Sequence, residues 1–91
     1  MASSDPAVSD EAMTVKVFSP REVYYEGPAQ SLSAENDTGK FDILPLHHSF
    51  ISLLKAGKII IGLHNDQQKI LDIEKGLLRV KDNKVTVFLD V

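Results

Sequence analysis

His47 and His48 are the side chains whose type and position best suit chemistry. They follow an apolar run, Phe41 to Leu44, that stops at Pro45. Proline cannot donate a ladder hydrogen bond, so it ends a strand and leaves the imidazoles at the rim of a sheet. A metal site would need three or four converging ligands. Adjacent residues on an extended chain point to opposite faces, and only Asp42 or a distant His64 could complete a set. Ser49 and Asp42 offer a serine–histidine–aspartate grouping, but such triads are assembled from distant parts of a fold. No nucleophile-elbow glycine pattern surrounds Ser49. The carboxylate pairs Glu35 with Asp37 and Asp10 with Glu11 sit in polar stretches and read as solvated surface. Gly39-Lys40-Phe41 and Gly57-Lys58-Ile59 lack the glycine-rich turn and the Lys-Ser/Thr of a phosphate cradle. The expectation is a non-catalytic chain with no metal and no cofactor, whose rim histidines either bond to loop backbone or serve protein contact.

The elements that must position this rim belong to a small domain. The chain has 91 residues, a net charge of −3 and no cysteine. A domain of this size buries roughly 60% of its unfolded surface. The missing cysteines exclude disulfides and thiolate sites. The acidic balance argues against general nucleic-acid binding, which needs clustered Lys and Arg. No apolar run reaches the length of a membrane span. Residues 1–12 are rich in Ser, Ala, Asp and Glu and read as a disordered acidic tail, leaving 13–91 as the folded domain.

From Met13 onward, period-two alternation dominates, as in Val15/Val17 and Val85/Val87/Leu89. Turn residues interrupt it at Glu26-Gly27-Pro28, Asn36-Asp37-Thr38-Gly39, Ala56-Gly57, Asn65-Asp66, Gly76 and Asp82-Asn83. Gly39 suits a positive φ. The spacing predicts strands over 14–19, 22–25, 29–35, 40–44, 50–55, 58–64, 68–74, 77–81 and 84–90. Such a pattern is all-β, a small two-sheet sandwich or flattened barrel. The expected core is Val15, Val17, Leu32, Phe41, Ile43, Leu53, Ile59, Ile61, Ile70, Leu78, Val80, Val85 and Val87. Val23, Tyr24, Tyr25, Phe50, Ile51, Leu54, Ile60 and Phe88 are then surplus: either some form an apolar patch on an outer face, or loops and bent strands cover them. A large patch of that kind marks a protein partner.

The stretch Phe41-Asp42-Ile43-Leu44-Pro45-Leu46-His47 resembles the "GxhGIhPGH" segment of the rotary ATP synthase epsilon subunit, called delta in mitochondria. Phe50 to Ile61 is similar to that family's strand, turn and next strand. Gly76 to Val80 resembles its "GGhhEV", Asn83 to Leu89 its "NxVTVLA", and Val15 to Ser19 its first strand. The likeness runs from about Thr14 to Val91, with the four pieces in the right order. It departs at Leu46, where glycine is usual, a change that bears on a positive-φ backbone there. It departs also at Ser49, where proline is common, and at Lys40, where glutamate is common.

The resemblance implies a β-sandwich in the central stalk of a proton- or sodium-driven ATP synthase. There it would bind the gamma subunit and the c-ring and transmit rotation without catalysis. The implied c-ring contacts are Asp37, Thr38, Gly39, Lys40 and His47. The implied gamma contacts are Ser19, His47, His48, Phe50 and Ser52. The membrane is reached only through the complex, at the cytoplasmic face in a bacterial cell. The isolated domain is expected to be monomeric or weakly self-associating. Family members commonly continue into a C-terminal helical hairpin that restrains ATP hydrolysis, and the expectation here is a sandwich without it. The competing reading is a free-standing β-sandwich module that binds a small ligand or peptide in an enclosed apolar pocket.

Overall fold

A computed structural model describes residues 12–90. The acidic stretch before Ala12 and the terminal Val91 lie outside the described residues, and so does the reading of that stretch as a tail. The chain forms β1 (Met13–Phe18), β2 (Val23–Ala29), β3 (Ser31–Asn36), β4 (Gly39–Ile43), β5 (Phe50–Leu54), β6 (Gly57–Gly62), β7 (Gln68–Ile73), β8 (Gly76–Lys81) and β9 (Lys84–Leu89), with one 3-10 turn at His64–Asp66. One sheet has the order β2-β1-β9-β8-β5 and the other β4-β3-β6-β7. The architecture is therefore the expected sandwich, with two sheets rather than a closed barrel. β1 and β9 run parallel, and the other paired strands are antiparallel.

Turn chemistry sets the hairpins. Asp82 and Asn83 both have positive φ, +52° and +63°, as a two-residue hairpin turn matching strand twist requires. Gly39 closes the β3–β4 hairpin at φ +121°. Gly27-Pro28 does not break its strand as the sequence suggested. β2 is an edge strand, so the missing Pro28 N–H leaves no ladder position empty.

The core lies between the sheets. Val15, Val17, Leu78, Val80, Val85 and Val87 from one sheet meet Leu32, Ile43, Ile59 and Ile61 from the other, all fully buried. Each such side chain contributes about 1.5–3 kcal/mol of transfer free energy. Three expected core residues fall elsewhere. Phe41 is only partly buried and packs at the margin of the core. Leu53 is 71% exposed, and Leu54 is buried instead. β5 pairs Leu54 with Gly76 and Ser52 with Leu78; cross-strand partners share a face, so the even positions point inward. Ile70 is 53% exposed because β7 pairs it with outward Ile60, while Leu71 pairs with inward Ile59. Gly76 belongs to this packing: a Cβ there would come within 2.9 Å of Leu89 Cδ2 and 3.1 Å of the Phe88 carbonyl oxygen.

Candidate functional site

The link from β4 to β5 begins with a type II turn at the rim. Pro45 fixes the first central φ, and the His47 N–H donates to the Leu44 carbonyl at 3.1 Å. The second central position needs a positive φ. Leu46 occupies it at φ +68°, so the backbone form that glycine favours is retained without glycine. A non-glycine residue in this region costs about 1–2 kcal/mol. The Leu46 N–H donates to Asn83 Oδ1 at 2.8 Å. Asn83 Nδ2 donates to the Ala12 carbonyl at 3.0 Å, and the Asn83 carbonyl accepts from the Thr14 N–H at 3.2 Å. One asparagine thereby holds the rim turn, the start of β1 and the β8–β9 hairpin together.

Beyond the turn, residues 47–49 are not in a strand, and the expectation that the two histidines face apart fails. Their rings stack with centroids 4.3 Å apart. His47 Nδ1 lies 2.8 Å from the His48 carbonyl oxygen; since a carbonyl only accepts, that nitrogen carries the proton. Phe50 meets both rings edge-on, at 5.6 and 6.2 Å, and Phe41 meets Phe50 at 5.6 Å. An aromatic chain thus runs from the core margin to the rim. Among the described residues, no cluster of three or more histidines and carboxylates could hold a metal ion.

The other named residues are distributed as follows. Asn36 Oδ1 accepts from the Thr38 N–H at 2.9 Å and from Thr38 Oγ1 at 2.7 Å, which shapes the turn carrying Asp37, Thr38 and Gly39. Asn36 Nδ2 donates to Ser52 Oγ at 2.9 Å, tying that turn to β5. Lys40 is exposed opposite Glu35, and Glu35 ion-pairs with Lys55 at 3.8 Å. The 36–39 turn and His47 lie at opposite ends of β4, a five-residue strand about 17 Å long. His47, His48 and Phe50 come together; the 36–40 turn meets only Ser52. Ser19 stands apart at the far end of β1. It is 5% exposed, and its Oγ accepts from the N–H groups of Arg21 (3.2 Å) and Glu22 (3.4 Å). Its side chain builds a turn and offers no surface in the isolated domain.

The expected apolar patch on an outer face is present, although Phe18, Leu77 and Leu53 are not among the residues expected to form it. On the outer face of the five-stranded sheet, register aligns Val23, Phe18, Phe88, Leu77 and Leu53 in one row across all five strands. Ile51 lies beside this row. Phe18 and Phe88 stack at 5.0 Å, and Lys16 Nζ sits 4.9 Å from the Phe18 ring centre. The rest of the same face is mostly basic, with Lys16, Arg79, Lys81 and Lys84 among Thr14 and Thr86, and with Glu26 opposite Lys16 at the β2 edge. Of the expected surplus, Val23, Ile51 and Phe88 belong to this face. Leu54 is core, Tyr24, Tyr25 and Phe50 pack against the core, and Ile60 faces out from the other sheet. The surface depressions are open and carry charge, as over Ser33, Glu35, Lys40, Asp42, Lys58 and Ile60 and beside Tyr24, Asp72, Glu74 and Leu89. They do not resemble the enclosed apolar pocket of a ligand-binding module.

Residues 12–91 match the family model described as ATP synthase, delta/epsilon chain, β-sandwich domain. An ATP synthase epsilon chain of Leptospira interrogans is 31% identical over 83 residues, covering 91% of this chain and 65% of the relative. The epsilon chain of Chlorobaculum tepidum is 27% identical over 84 residues, covering 92% of this chain and 96% of the relative. The chain thus spans just under two thirds of the length of the Leptospira relative. Among solved structures, a chain of the Euglena gracilis mitochondrial ATP synthase (OSCP/F1/c-ring) superposes with a TM-score of 0.81 at 15% identity, covering 98% of this chain and 54% of that one. A chain of the Tetrahymena thermophila mitochondrial ATP synthase central stalk and c-ring gives 0.74 at 16% identity, covering 85% and 62%. At such identities the likeness establishes the sandwich fold.

Proposed function

This chain belongs to the ATP synthase delta/epsilon β-sandwich family, and from that premise we propose that it is a non-catalytic coupling subunit of the central stalk. It binds the gamma subunit and the c-ring and passes rotation between them as a rigid body. In a bacterial cell this places it at the cytoplasmic face of the membrane, held there through the complex.

The observation that carries the proposal is the apolar row from Val23 to Leu53. A surface of aligned aromatic and aliphatic side chains with exposed Leu53 and Ile51 at its edge suits a protein partner. We assign gamma to this face and to the adjoining β5 rim of His48 and Phe50. The 36–40 turn and the His47 turn flank edge strand β4, so the c-ring would meet one side of the body rather than a single loop tip. Rigidity follows from short connections and a close-packed core.

The test is reconstitution with gamma and the c-ring of the same organism. Co-purification with both, and loss of coupling between ion flow and ATP chemistry when the chain is omitted, are the expected results. Failure to co-purify, or coupling that survives its omission, rejects the function.

A further inference from the structure

Cations crowd the outer face of the five-stranded sheet beside the β8–β9 hairpin. Leu78, Val80, Val85 and Val87 are buried, so alternation turns Arg79, Lys81, Lys84 and Thr86 outward. Lys81 stands directly opposite Lys84, and Arg79 opposite Thr86. Across β9, the parallel register sets Thr14 beside Lys84 and Lys16 beside Thr86. Like charges directly opposite in a sheet destabilise it. Two carboxylates are close to these four cations: Glu26 lies opposite Lys16, and Asp82 borders Lys81 and Lys84. Neither closes an ion pair with them; among the described residues, the ion pairs are Lys55 with Glu35 and Lys58 with Asp72. The face keeps an excess of positive charge that an external anion would neutralise.

We propose that this cluster binds the phosphate group of an anionic phospholipid headgroup and gives the chain a direct contact with the membrane surface. The inference rests on the stalk reading, which brings the domain to the membrane, and goes beyond it by naming a lipid partner. Three features favour this ligand. Arg79, Lys81, Lys84 and Thr86 line one open depression with Asp82; guanidinium, ammonium and hydroxyl donors converging on one place suit phosphate oxygens. β8 and β9 are also interior strands, each paired on both sides. Their main-chain groups are taken up in the ladders, so the face offers side-chain donors alone. An extended acidic peptide would lack the main-chain partners that a sheet edge supplies, whereas a phosphate needs none. Finally, Asn83 of the same hairpin bonds the Leu46 N–H, so the cluster lies at the end of the sandwich that carries the rim turn. The stalk reading sets that turn against the c-ring, within reach of the headgroups around it. Each lysine or arginine near such a surface adds to the attraction, which fades within a Debye length.

The experiment measures flotation of the full chain with vesicles of equal parts phosphatidylglycerol and phosphatidylcholine, and with vesicles of phosphatidylcholine alone. Three variants are compared. Lys81→Ala/Lys84→Ala empties the site, and Lys81→Arg/Lys84→Arg keeps its charge. Lys58→Ala/Lys69→Ala removes the same charge from β6 and β7 of the other sheet. The expected result is binding to the anionic vesicles alone, weakened about tenfold or more in the first variant, kept in the other two, and lost as salt rises. The first variant should also melt at or above the wild-type midpoint, since a like-charge contact is removed. A midpoint clearly below wild type would show the two lysines to be compensated within the fold, and overturns the site. Equal weakening in Lys58→Ala/Lys69→Ala makes the attraction general rather than local, and overturns it too. Absence of wild-type binding to anionic vesicles overturns the lipid contact and leaves the stalk reading intact, because reconstitution with gamma and the c-ring tests that reading separately. Binding of inorganic phosphate that depends on Lys81 and Lys84, without binding to vesicles, overturns the lipid in favour of a soluble phosphate. Loss of affinity for purified gamma in the first variant, with vesicle binding unchanged, overturns it in favour of a protein contact.

Discussion

Asn83 Oδ1 accepts the Leu46 N–H across 37 positions of sequence. The same side chain reaches the Ala12 carbonyl through Nδ2. A hairpin turn residue at φ +63° therefore also fixes a rim turn from another sheet crossing. Each of these solvent-accessible bonds is worth about 0.5–1.5 kcal/mol, so losing both costs about 1–3 kcal/mol at most. Asn83→Gly keeps the backbone form and loses both side-chain bonds, so it lowers stability by about that amount in urea unfolding. Asn83→Asp keeps the acceptor for Leu46 and loses the donor to Ala12, so it falls between wild type and the glycine variant. Equal stability of wild type and Asn83→Gly would show that the clamp contributes nothing.

Leu53 and Leu54 are neighbours with opposite fates, and substitution separates them. Leu54→Ala opens a hole over Gly76 and is expected to lose about 2–4 kcal/mol. Leu53→Ala removes an exposed side chain and stays within about 0.5 kcal/mol of wild type. Chemical denaturation of the two variants reads the strand phase directly; the reverse order would place β5 the other way round.

The same pair marks where legibility in the sequence stops. The nine strands are readable because Gly, Pro, Asn and Asp punctuate them and Val alternates cleanly in β1 and β9. β5 and β7 are apolar in both phases, so alternation carries no information there. The phase comes from pairing with β8 and β6, which only the folded chain provides. The outer row is hidden for a similar reason: Phe18 and Phe88 become neighbours through the parallel β1–β9 pairing. The positive φ of Leu46 depends on the asparagine clamp, and the stacked histidines depend on a bend that period-two reasoning treats as extended. The turn at 36–39 was legible from Asn36 to Gly39, whereas its link to Ser52 was not.

Tyr25 gives the fold an alkaline limit. Burial pushes its phenol above the usual value, because the apolar surroundings disfavour the anion. Its hydroxyl also donates to the Pro28 carbonyl. The unfolded chain then loses this proton first. The contribution is complete below the ordinary phenol value of about 10 and disappears as pH rises through the higher folded value. Thermal midpoints measured from about pH 9 to 11 should fall more steeply for wild type than for Tyr25→Phe. Parallel slopes would remove Tyr25 from the account.

His47 is part of the rim, partly exposed, and its ring touches His48 and Phe50 rather than the core. His47→Ala is expected to change isolated-domain stability by less than about 1 kcal/mol and to weaken assembly with gamma and the c-ring. Differential scanning calorimetry and a pull-down with those partners read the two effects separately. A large stability loss with normal assembly would make the imidazole structural.

Leu77 sits mid-row on the outer face, between Phe88 and Leu53, and faces away from the core. Leu77→Lys therefore leaves the inner packing untouched. A charge placed there must be desolvated when a partner covers the row, at a penalty of several kcal/mol unless it is paired. The lysine stem still covers part of its neighbours, so the free domain should unfold within about 1 kcal/mol of wild type. Binding to gamma should fall by about tenfold or more. The basic half of the face supplies the control. Lys84→Ala changes a charge that lies away from the apolar row, and its effect should be small and salt-dependent. If Leu77→Lys binds gamma as wild type does while Lys84→Ala does not, the contact lies on the basic half and the apolar row is not the seat of gamma.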